Sequence, residues 1–250
     1  MLCTILTLFP EAIRPYLDAS ILGIAQRIGR VRFHLMDFRD YAGDRKGTVD
    51  ARPFGGGPGM VLKPKPIFDA VEDVEHRFGA HHKVLLTPRG RPFDHGCAVR
   101  LTERPQVLFL CGRYEGFDER IRLGMDWEEL SLGDFVLSGG EIPVLAMIEA
   151  SVRLLPGVLG DDESAMFDSF AQDQLLDHPH YTRPRSFRGM DVPEELLSGH
   201  HGAVAAWRRQ QAERLTSLRS QLLSEFRAEI GSKDSENSPT GMRLPTGKQE

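Results

Sequence analysis

The stretch that decides the predicted fold is residues 107–143, VLFLCGRYEGFDERIRLGMDWEELSLGDFVLSGGEIP. It opens with an apolar run, residues 107–111, that is typical of a strand buried on both faces. Glycines with charged and aromatic side chains follow at the strand's carboxyl end, in residues 112–116. Residues 132–141 repeat this plan and predict a second apolar strand, glycines and then an apolar helix. Because ligands bind outside the carboxyl ends of strands in open α/β sheets, the two strand ends predict one shared pocket.

The composition predicts a soluble globular protein. A chain of 250 residues has room for a sizeable core, in one large domain or two ordinary ones. Hydrophobic residues make up 40% and charged residues 27%, which are ordinary values for this class. The net charge of -5 does not suggest a polyanionic partner, so a nucleic-acid site would have to be a local basic patch.

The N-terminus and the cysteines predict a cytoplasmic location. No apolar run approaches the length of a membrane span, and the N-terminus lacks the basic region and cleavage site of a signal peptide. Cys3, Cys97 and Cys111 are odd in number and lack a metal-binding spacing. This pattern fits a reducing compartment and argues against structural zinc.

Strands and helices alternate along the first part of the chain. Hydrophobic periodicity predicts strands at residues 2–8, 31–36, 83–87 and 107–111, and helices at residues 20–28, 67–78, 94–103 and 142–155. Ser20 and Asp94 are the expected helix caps, and residues 88–92 are an expected turn. Such alternation predicts an α/β domain with a largely parallel sheet.

A loop with four glycines and two prolines, residues 52–60, admits neither helix nor sheet. Taken alone it is more often a tight surface connection than a binding loop, because it matches no phosphate-binding motif. The charged residues around it favour a binding loop.

The last third of the chain differs in character. Residues 157–165 form a polar stretch typical of a linker, and residues 203–230 predict a charged amphipathic helix. The arginines of that helix would, without further context, form a solvated face. Packing or RNA contact is favoured over metal binding for His178 and His180. The tail, residues 231–250, has the composition of a disordered segment.

Six motifs in order resemble one known family, the bacterial tRNA (guanine-N1)-methyltransferases of the SPOUT class. The resemblance spans about residues 2–227, with departures at Ala51 and Phe54, where the family commonly has an acid and a tyrosine. The motifs are RPFGGGPGM at 52–60, CGRYEGFDER at 111–120, GDFVLSGGE at 133–141, PGVLG at 156–160, DSF at 168–170 and PHYTRP at 179–184.

The resemblance implies a fold that periodicity cannot give. Knotted chains are essentially absent from ordinary topologies, yet the SPOUT class has an α/β sheet with a C-terminal trefoil knot, here at about residues 83–155, followed by a small helical domain. The implied domains are a knotted methyl-donor domain (1–156), a linker (157–175), a helical tRNA-binding domain (176–230) and the tail (231–250). The implied assembly is a homodimer whose subunits share their active sites.

The resemblance also implies S-adenosyl-L-methionine as the methyl donor, bound in the knot. Glycine-lined loops expose backbone groups that can read an adenine edge, although turn chemistry explains each glycine singly. The implied contacts are Thr87, Pro88, Gly112, Tyr114, Leu132, Gly133, Asp134, Phe135, Val136, Leu137, Gly139, Gly140 and Pro143.

The chemistry of the reaction sets the remaining roles. Guanine N1 carries a proton, so methylation needs a general base, and charge that builds on O6 needs a nearby cation or donor. By resemblance Asp168 is the base, Arg153 stabilises its charge, and Glu115 reads the donor edge of guanine, with Asp50 available nearby. Without the family context, Asp168 would be read as a cap or turn residue and Arg153 as a surface arginine. Phosphate contacts would come from Arg183, Arg185, Arg188, Arg208 and Arg209.

The predicted function is methylation of N1 of the guanine at position 37 of tRNA, just 3′ of the anticodon. One alternative is a related knotted methyltransferase that acts on ribose 2′-hydroxyls or on ribosomal RNA. Another is a non-catalytic RNA-binding module on the same fold. The resemblance also suggests Mg²⁺ dependence, but the sequence shows no set of carboxylates that would hold the ion, and no ligand is assigned.

Overall fold

The computed structural model describes residues 1–160, 168–171 and 173–236. The chain forms two compact units, Met1–Met166 and Phe167–Glu250. Parts of the predicted linker (157–175) and of the predicted tail (231–250) therefore lie outside the described residues.

The first unit is built on a five-stranded parallel sheet with the order β2-β1-β6-β5-β7. Its strands are β1 (Leu2–Thr7), β2 (Arg32–Asp37), β5 (His82–Pro92), β6 (Gln106–Leu110) and β7 (Trp127–Ser131). A small antiparallel pair, β3 (Asp50–Ala51) and β4 (Val61–Leu62), flanks the glycine-rich loop. The predicted parallel α/β architecture and the four predicted strands are confirmed.

Helices cover both faces of the sheet. They are α1 (Pro10–Leu17), α2 (Ser20–Arg27), α3 (Pro64–Phe78), α4 (His95–Thr102), α5 (Glu119–Gly124) and α6 (Glu141–Val152), with a 3-10 turn at Phe38–Tyr41. One core packs Val107 and Phe109 against α1, α2, α4 and α6, and the other packs Leu108 and Leu110 against α3 and α5. Strand β6 is apolar at every one of these positions because alternate side chains enter the two cores.

The second apolar strand predicted in residues 132–141 is wrong. The strand lies earlier, at β7, and residues 132–140 form an irregular loop in which Val136 is 86% exposed. Strand β7 is at the edge of the sheet and contains Glu128 and Glu129, which are bonded to charged partners. An edge strand that pairs its carboxylates in this way carries no apolar pattern for sequence analysis to detect.

Two local predictions also need correction. Ser20 does not cap α2: Ala19 occupies the N-cap position, and Ser20 is the first helical residue, with φ of 47°. Residues 88–92 are not a simple turn at the end of a strand. Leu86 and Arg91 both pair with Leu130, so the four residues between them loop out of a strand that continues to Pro92. The Asp94 cap is confirmed, because Asp94 Oδ1 accepts a hydrogen bond from the Cys97 backbone nitrogen at 2.7 Å.

The second unit is mainly helical. It contains the hairpin β8 (Ser186–Phe187) and β9 (Met190–Asp191), a short helix α7 (Glu194–Leu197) and a long helix α8 (His201–Glu236). Helix α8 extends six residues into the segment for which the sequence predicts disorder. None of the side chains described in this unit is buried. Among the described residues of the whole chain, no helix has the length and apolarity needed to cross a membrane.

Candidate active site

A cavity of ≈ 430 Å³ opens where β5, β6 and β7 end, and we call it the strand-end pocket. Three loops form it: one interrupts β5 after Leu86, and the other two follow the carboxyl ends of β6 and β7. Glu115 and twelve of the thirteen predicted methyl-donor contacts line its wall, and Asp134 is the exception. The twelve are Thr87, Pro88, Gly112, Tyr114, Leu132, Gly133, Phe135, Val136, Leu137, Gly139, Gly140 and Pro143.

The first loop exists because β5 leaves its register and returns to it. Thr87, Pro88 and Arg89 are the looped-out residues on the pocket wall. A Cβ atom at Gly90 would overlap the backbone of Leu130, so this crossing requires glycine. The close passage of two backbone segments puts the looped residues beside the end of β7.

Gly140 holds the second and third loops together. Its backbone nitrogen donates a hydrogen bond to the Gly112 carbonyl at 3.0 Å. A Cβ atom at Gly140 would lie 2.6 Å from Cys111 Cα and 3.0 Å from the Gly112 nitrogen. Both are backbone atoms that no rotamer change can move away, so an alanine here must separate the two loops.

We therefore expect Gly140→Ala to weaken S-adenosylmethionine binding by about tenfold or more, which corresponds to about 1.4 kcal/mol. Isothermal titration calorimetry of the full chain measures this. Gly43→Ala is the matched control, because nothing lies within 4 Å of its Cβ position. Equal affinities of the two variants would contradict the role given to Gly140.

An ion pair between the buried Glu141 and the half-buried Arg113 supports the same two loops. Arg113 Nη2 lies 2.9 Å from Glu141 Oε2, and Arg113 Nη1 donates to the Ser138 carbonyl at 3.3 Å. The Thr7 hydroxyl, at the end of β1, donates to Glu141 Oε1 at 2.6 Å. The Arg113 guanidinium also stacks over the Phe9 ring at 4.4 Å. One charged cluster thus connects β1, the loop after β6 and the first turn of α6.

Most charged groups on the pocket wall are paired with each other. Arg122 Nε donates to Glu119 Oε1 at 2.7 Å, and Arg89 Nη1 donates to Glu119 Oε2 at 3.1 Å. The hydrogen bond from Arg122 is the main cause of the lowered pKa of Glu119. Arg122 also lies 3.4 Å from Glu129. The carboxylates on the pocket wall are Glu115, Asp118, Glu119 and Glu129. Among the described residues, the last three each have an arginine partner and Glu115 has none.

The glycine-rich loop lies against Glu115. The Glu115 nitrogen donates to the Met60 carbonyl at 3.0 Å, and a Cβ atom at Gly59 would overlap the Glu115 carboxylate. Gly59 has φ of +78°, which also favours glycine. The loop is thus attached to the pocket at its C-terminal end, which favours the binding-loop interpretation of residues 52–60.

Asp50 is connected to the pocket through the small sheet. It pairs with Leu62 across the β3–β4 ladder. Leu62 in turn donates its backbone nitrogen to the Gly116 carbonyl at 2.9 Å and bridges Phe117. Gly116 and Phe117 belong to the pocket wall. Asp50 therefore lies on the strand next to the one that contacts the pocket.

Several charged residues of the pocket wall are not among the site residues predicted from the sequence. Arg89 directly follows the predicted Pro88, and Glu119 and Arg122 have the i, i+3 spacing of paired side chains on a helix, so these had a detectable signal. Glu129 had none, because its strand was not predicted. Arg113 was quoted as part of a motif, but its buried partner Glu141 is distant in sequence.

The predicted catalytic residues belong to different units. Arg153 is half-buried at the C-terminal end of α6 in the first unit. Asp168 is half-buried in the second unit, where its carbonyl accepts a hydrogen bond from the Ala171 nitrogen at 3.1 Å. Both residues also make contacts within the chain.

The predicted phosphate-binding arginines are in the second unit and differ in their surroundings. Arg183, Arg185 and Arg208 line a second cavity, of ≈ 440 Å³. Arg209 forms ion pairs with Asp173 at 3.0 Å and Glu213 at 2.6 Å. Arg188 stacks on Phe187 at 5.2 Å.

Asp177, His178 and His180 form the one cluster of potential metal ligands found among the described residues, with their ligand atoms within 4.8 Å of one another. Asp177 Oδ1 lies 2.6 Å from His178 Nδ1, and Oδ2 lies 2.8 Å from His180 Nε2. Hydrogen bonds therefore account for the cluster. Its single carboxylate and two imidazoles do not suit Mg²⁺, which prefers oxygen ligands.

Comparisons with known proteins agree with one another. The family model described as tRNA (Guanine-1)-methyltransferase TrmD matches residues 1–225. A tRNA (guanine-N(1)-)-methyltransferase of Bacillus subtilis is 48% identical over 215 residues, which are 86% of this chain and 88% of the relative. That of Anoxybacillus flavithermus is 49% identical over 219 residues, with the same coverage. The crystal structure of tRNA (m1G37) methyltransferase from Aquifex aeolicus superposes with a TM-score of 0.73 at 40% identity, covering 88% of this chain and 93% of that one.

Proposed function

The chain belongs to the tRNA (guanine-1)-methyltransferase family, and we propose that it methylates N1 of the guanine at position 37 of tRNA, 3′ of the anticodon. The observation that carries this proposal is the strand-end pocket, in which Glu115 is placed beside a glycine-rich loop and the glycine-lined loops that follow β6 and β7. The relatives named above are tRNA (guanine-N(1)-)-methyltransferases, and the Aquifex aeolicus protein is a tRNA (m1G37) methyltransferase. We place the reaction in the cytoplasm, with tRNA as the substrate.

S-adenosyl-L-methionine fits the strand-end pocket by size and by lining. The cavity falls within the range of about 300–1,000 Å³ that is usual for small-molecule sites. Tyr114, Phe135 and Leu137 leave apolar surface exposed on its wall, as a site for an adenine ring would. The backbone around Gly112 and Gly140 provides groups that can bind the ring's polar edge. When bound there, the sulfonium compound supplies an electrophilic methyl group.

The protein's own residues handle the guanine. Glu115 accepts a hydrogen bond from the N2 amino group on the donor edge of guanine, a task that suits a carboxylate without a bound cation. Asp168 removes the N1 proton, which makes N1 nucleophilic, and Arg153 stabilises the charged form of Asp168. Asp50 extends the acceptor surface beside Glu115. Mg²⁺ dependence remains part of the proposal, with no ligand assigned.

A homodimer explains how residues of both units can serve one site. None of the described side chains of the second unit is buried, and α8 exposes Leu218, Leu222, Leu223 and Phe226. A helical unit without a buried core needs a further surface to cover these side chains. We propose a C2 dimer in which Asp168 of one subunit completes the strand-end pocket of the other.

We also propose that residues 83–155 form the trefoil knot of the SPOUT class. Two close passages of the backbone support this. One is Gly90 against Leu130, and the other is Gly140 against Cys111 and Gly112. A chain that passes through its own loop requires such contacts, and glycine is the residue that permits them. We also propose the domain boundaries that the resemblance implies. They are a knotted methyl-donor domain (1–156), a linker (157–175), a helical tRNA-binding domain (176–230) and a tail (231–250).

Incubation with labelled S-adenosylmethionine and unmodified tRNA transcripts tests the function. We expect methylation of a transcript with guanine at position 37 and a loss of at least about 100-fold with adenine there, because adenine N1 carries no proton and presents different donors. Nucleoside analysis of the product should give 1-methylguanosine. A 2′-O-methylated product would favour a related ribose methyltransferase, and S-adenosylmethionine binding without turnover would favour a non-catalytic module.

A further inference from the structure

The second unit contains a cavity of its own, which we call the basic pocket. Its volume is ≈ 440 Å³, and it lies between the segment before β8, helix α7 and the start of α8. It belongs entirely to residues of this unit and is separate from the strand-end pocket. Its lining residues are His178, Pro179, His180, Tyr181, Thr182, Arg183, Arg185, Val192, Leu196, Leu197, Val204 and Arg208.

The lining combines an apolar surface with cations. Val192, Leu196 and Val204 are half-buried and contribute aliphatic groups to the pocket. Tyr181 is half-exposed, and its ring packs edge-on against Trp207 with the centroids 6.2 Å apart. An aromatic ring held on one side and open on the other is suited to stacking against a base. Arginines nearby are suited to the phosphate of the same nucleotide.

The arginines in and beside the basic pocket differ in whether a carboxylate is bound to them. Arg209 is held by Glu213 and Asp173, and these two hydrogen bonds, that with Glu213 first, raise its pKa. Arg185 is paired with Glu194 at 2.7 Å. Among the described residues, Arg183 and Arg208 have no carboxylate partner.

Arg208 and Arg209 are adjacent in α8 yet have different surroundings. Successive residues of an α-helix point about 100° apart, so only one of two neighbours can face a given groove. Here that residue is Arg208, which lines the basic pocket, whereas Arg209 faces Asp173 and Glu213. Arg209 is bound to two carboxylates, so we leave it out of the phosphate contacts that the family resemblance implies. The charge of Arg208 is available to a ligand.

We propose that the basic pocket binds one unstacked nucleotide of the tRNA other than the target guanine. Its base packs against Tyr181 and the aliphatic side chains, and its phosphate binds Arg183 and Arg208. The identity of the RNA rests on the proposed function, whereas the nucleotide chemistry rests on the pocket itself. The pocket would hold a neighbouring segment of the tRNA while the target guanine enters the strand-end pocket.

The first test compares Arg208→Ala with Arg209→Ala in the full chain. Fluorescence anisotropy with an unmodified tRNA transcript should show about 10- to 100-fold weaker binding for Arg208→Ala, the usual loss for a hydrogen bond to a charged group. The slope of log affinity against log salt should fall by about 0.7–0.9, as for one lost phosphate contact. Arg209→Ala should change the affinity less than about threefold, because its charge is already paired.

Kinetics of the same variants separate binding from catalysis. Arg208→Ala should raise KM for tRNA and leave kcat at saturating tRNA and S-adenosylmethionine affinity within about twofold of the parent. Thermal denaturation checks that both variants fold. Equal tRNA affinities of the two variants would overturn the proposal. A parent chain that binds tRNA but does not methylate guanine would overturn the proposed function and leave this comparison intact.

The second test asks whether a base occupies the pocket. Transcripts that lack one base at each position of the anticodon loop are titrated in turn against the parent chain and Tyr181→Ala. At one position besides the target, base removal should weaken parent binding by about 5- to 100-fold and have little further effect on Tyr181→Ala. Tyr181→Phe should restore the parent's response. Additive effects at every position would show that the pocket binds phosphate alone and would overturn the nucleotide assignment.

Discussion

Asp168→Asn is expected to lower kcat by about 100- to 10,000-fold, the usual contribution of a positioned general base. The amide keeps the size and part of the hydrogen bonding of the carboxylate but cannot accept the guanine N1 proton. S-adenosylmethionine affinity should stay within about twofold of the parent, because Asp168 lies outside the set of residues that line the strand-end pocket. Single-turnover kinetics with a saturating tRNA transcript measure the chemical step directly.

Asp173→Asn is the matched control for this substitution. It also lies in the second unit, but it is exposed and bound to Arg209. We expect its kcat to remain within about threefold of the parent, as for loss of an exposed ion pair. If Asp168→Asn were as active as Asp173→Asn, Asp168 would not be the base.

A mixture of Asp168→Ala and Arg153→Ala chains tests whether the site is shared. In a C2 dimer, random exchange gives heterodimers in which one of the two sites has both native residues, so about a quarter of all sites should recover. Each variant assayed alone should remain inactive. Absence of recovery after verified subunit exchange would mean that both residues come from one chain, which would reject the shared site and keep the role of the base.

Glu141→Ala is expected to lower the free energy of unfolding by about 1–3 kcal/mol, as when a buried hydrogen-bonding partner is removed. The Glu141 side chain is 7% exposed, and its loss leaves the Arg113 guanidinium, which is 25% exposed, without its anion. The Thr7 hydroxyl loses its acceptor as well. Urea denaturation followed by circular dichroism measures the change, and S-adenosylmethionine affinity should fall in parallel, because the same cluster holds the pocket loops.

Lys65→Ala is the control for this effect. Lys65 and Asp69 form an i, i+4 pair in which the lysine side chain is 71% exposed, and such pairs contribute about 0.3–0.5 kcal/mol. If Glu141→Ala does not fold, Glu141→Gln retains an acceptor for Thr7 and should give an intermediate stability. A loss below about 1 kcal/mol for both Glu141 variants would show that the ion pair does not hold the loops.

The fold prediction succeeded where hydrophobicity was decisive. Strand β6 has side chains in both cores, so its sequence is apolar throughout and the strand was placed correctly. Strand β7 was misplaced because Glu128 and Glu129 interrupt the pattern: Glu128 binds His82 and Arg91, which are distant in sequence, and Glu129 binds Arg122 on the preceding helix. Phe135 and Val136 were predicted to lie in a strand, but they lie in a loop and are exposed because they line the strand-end pocket.

The sequence alone determined the parallel α/β architecture and four of the five strands of the main sheet, and its resemblance to a known family supplied twelve of the residues that line the strand-end pocket. These follow from local periodicity, glycine chemistry and ordered motifs, all of which are written along the chain. Only the tertiary structure decided which charges are available. It paired Arg113 with Glu141 and Arg209 with Asp173, and it left Glu115 and Arg208 facing cavities. The reason is physical: whether a charge binds a neighbour or a ligand depends on distances between residues that are far apart in sequence, and periodicity carries no information about those distances.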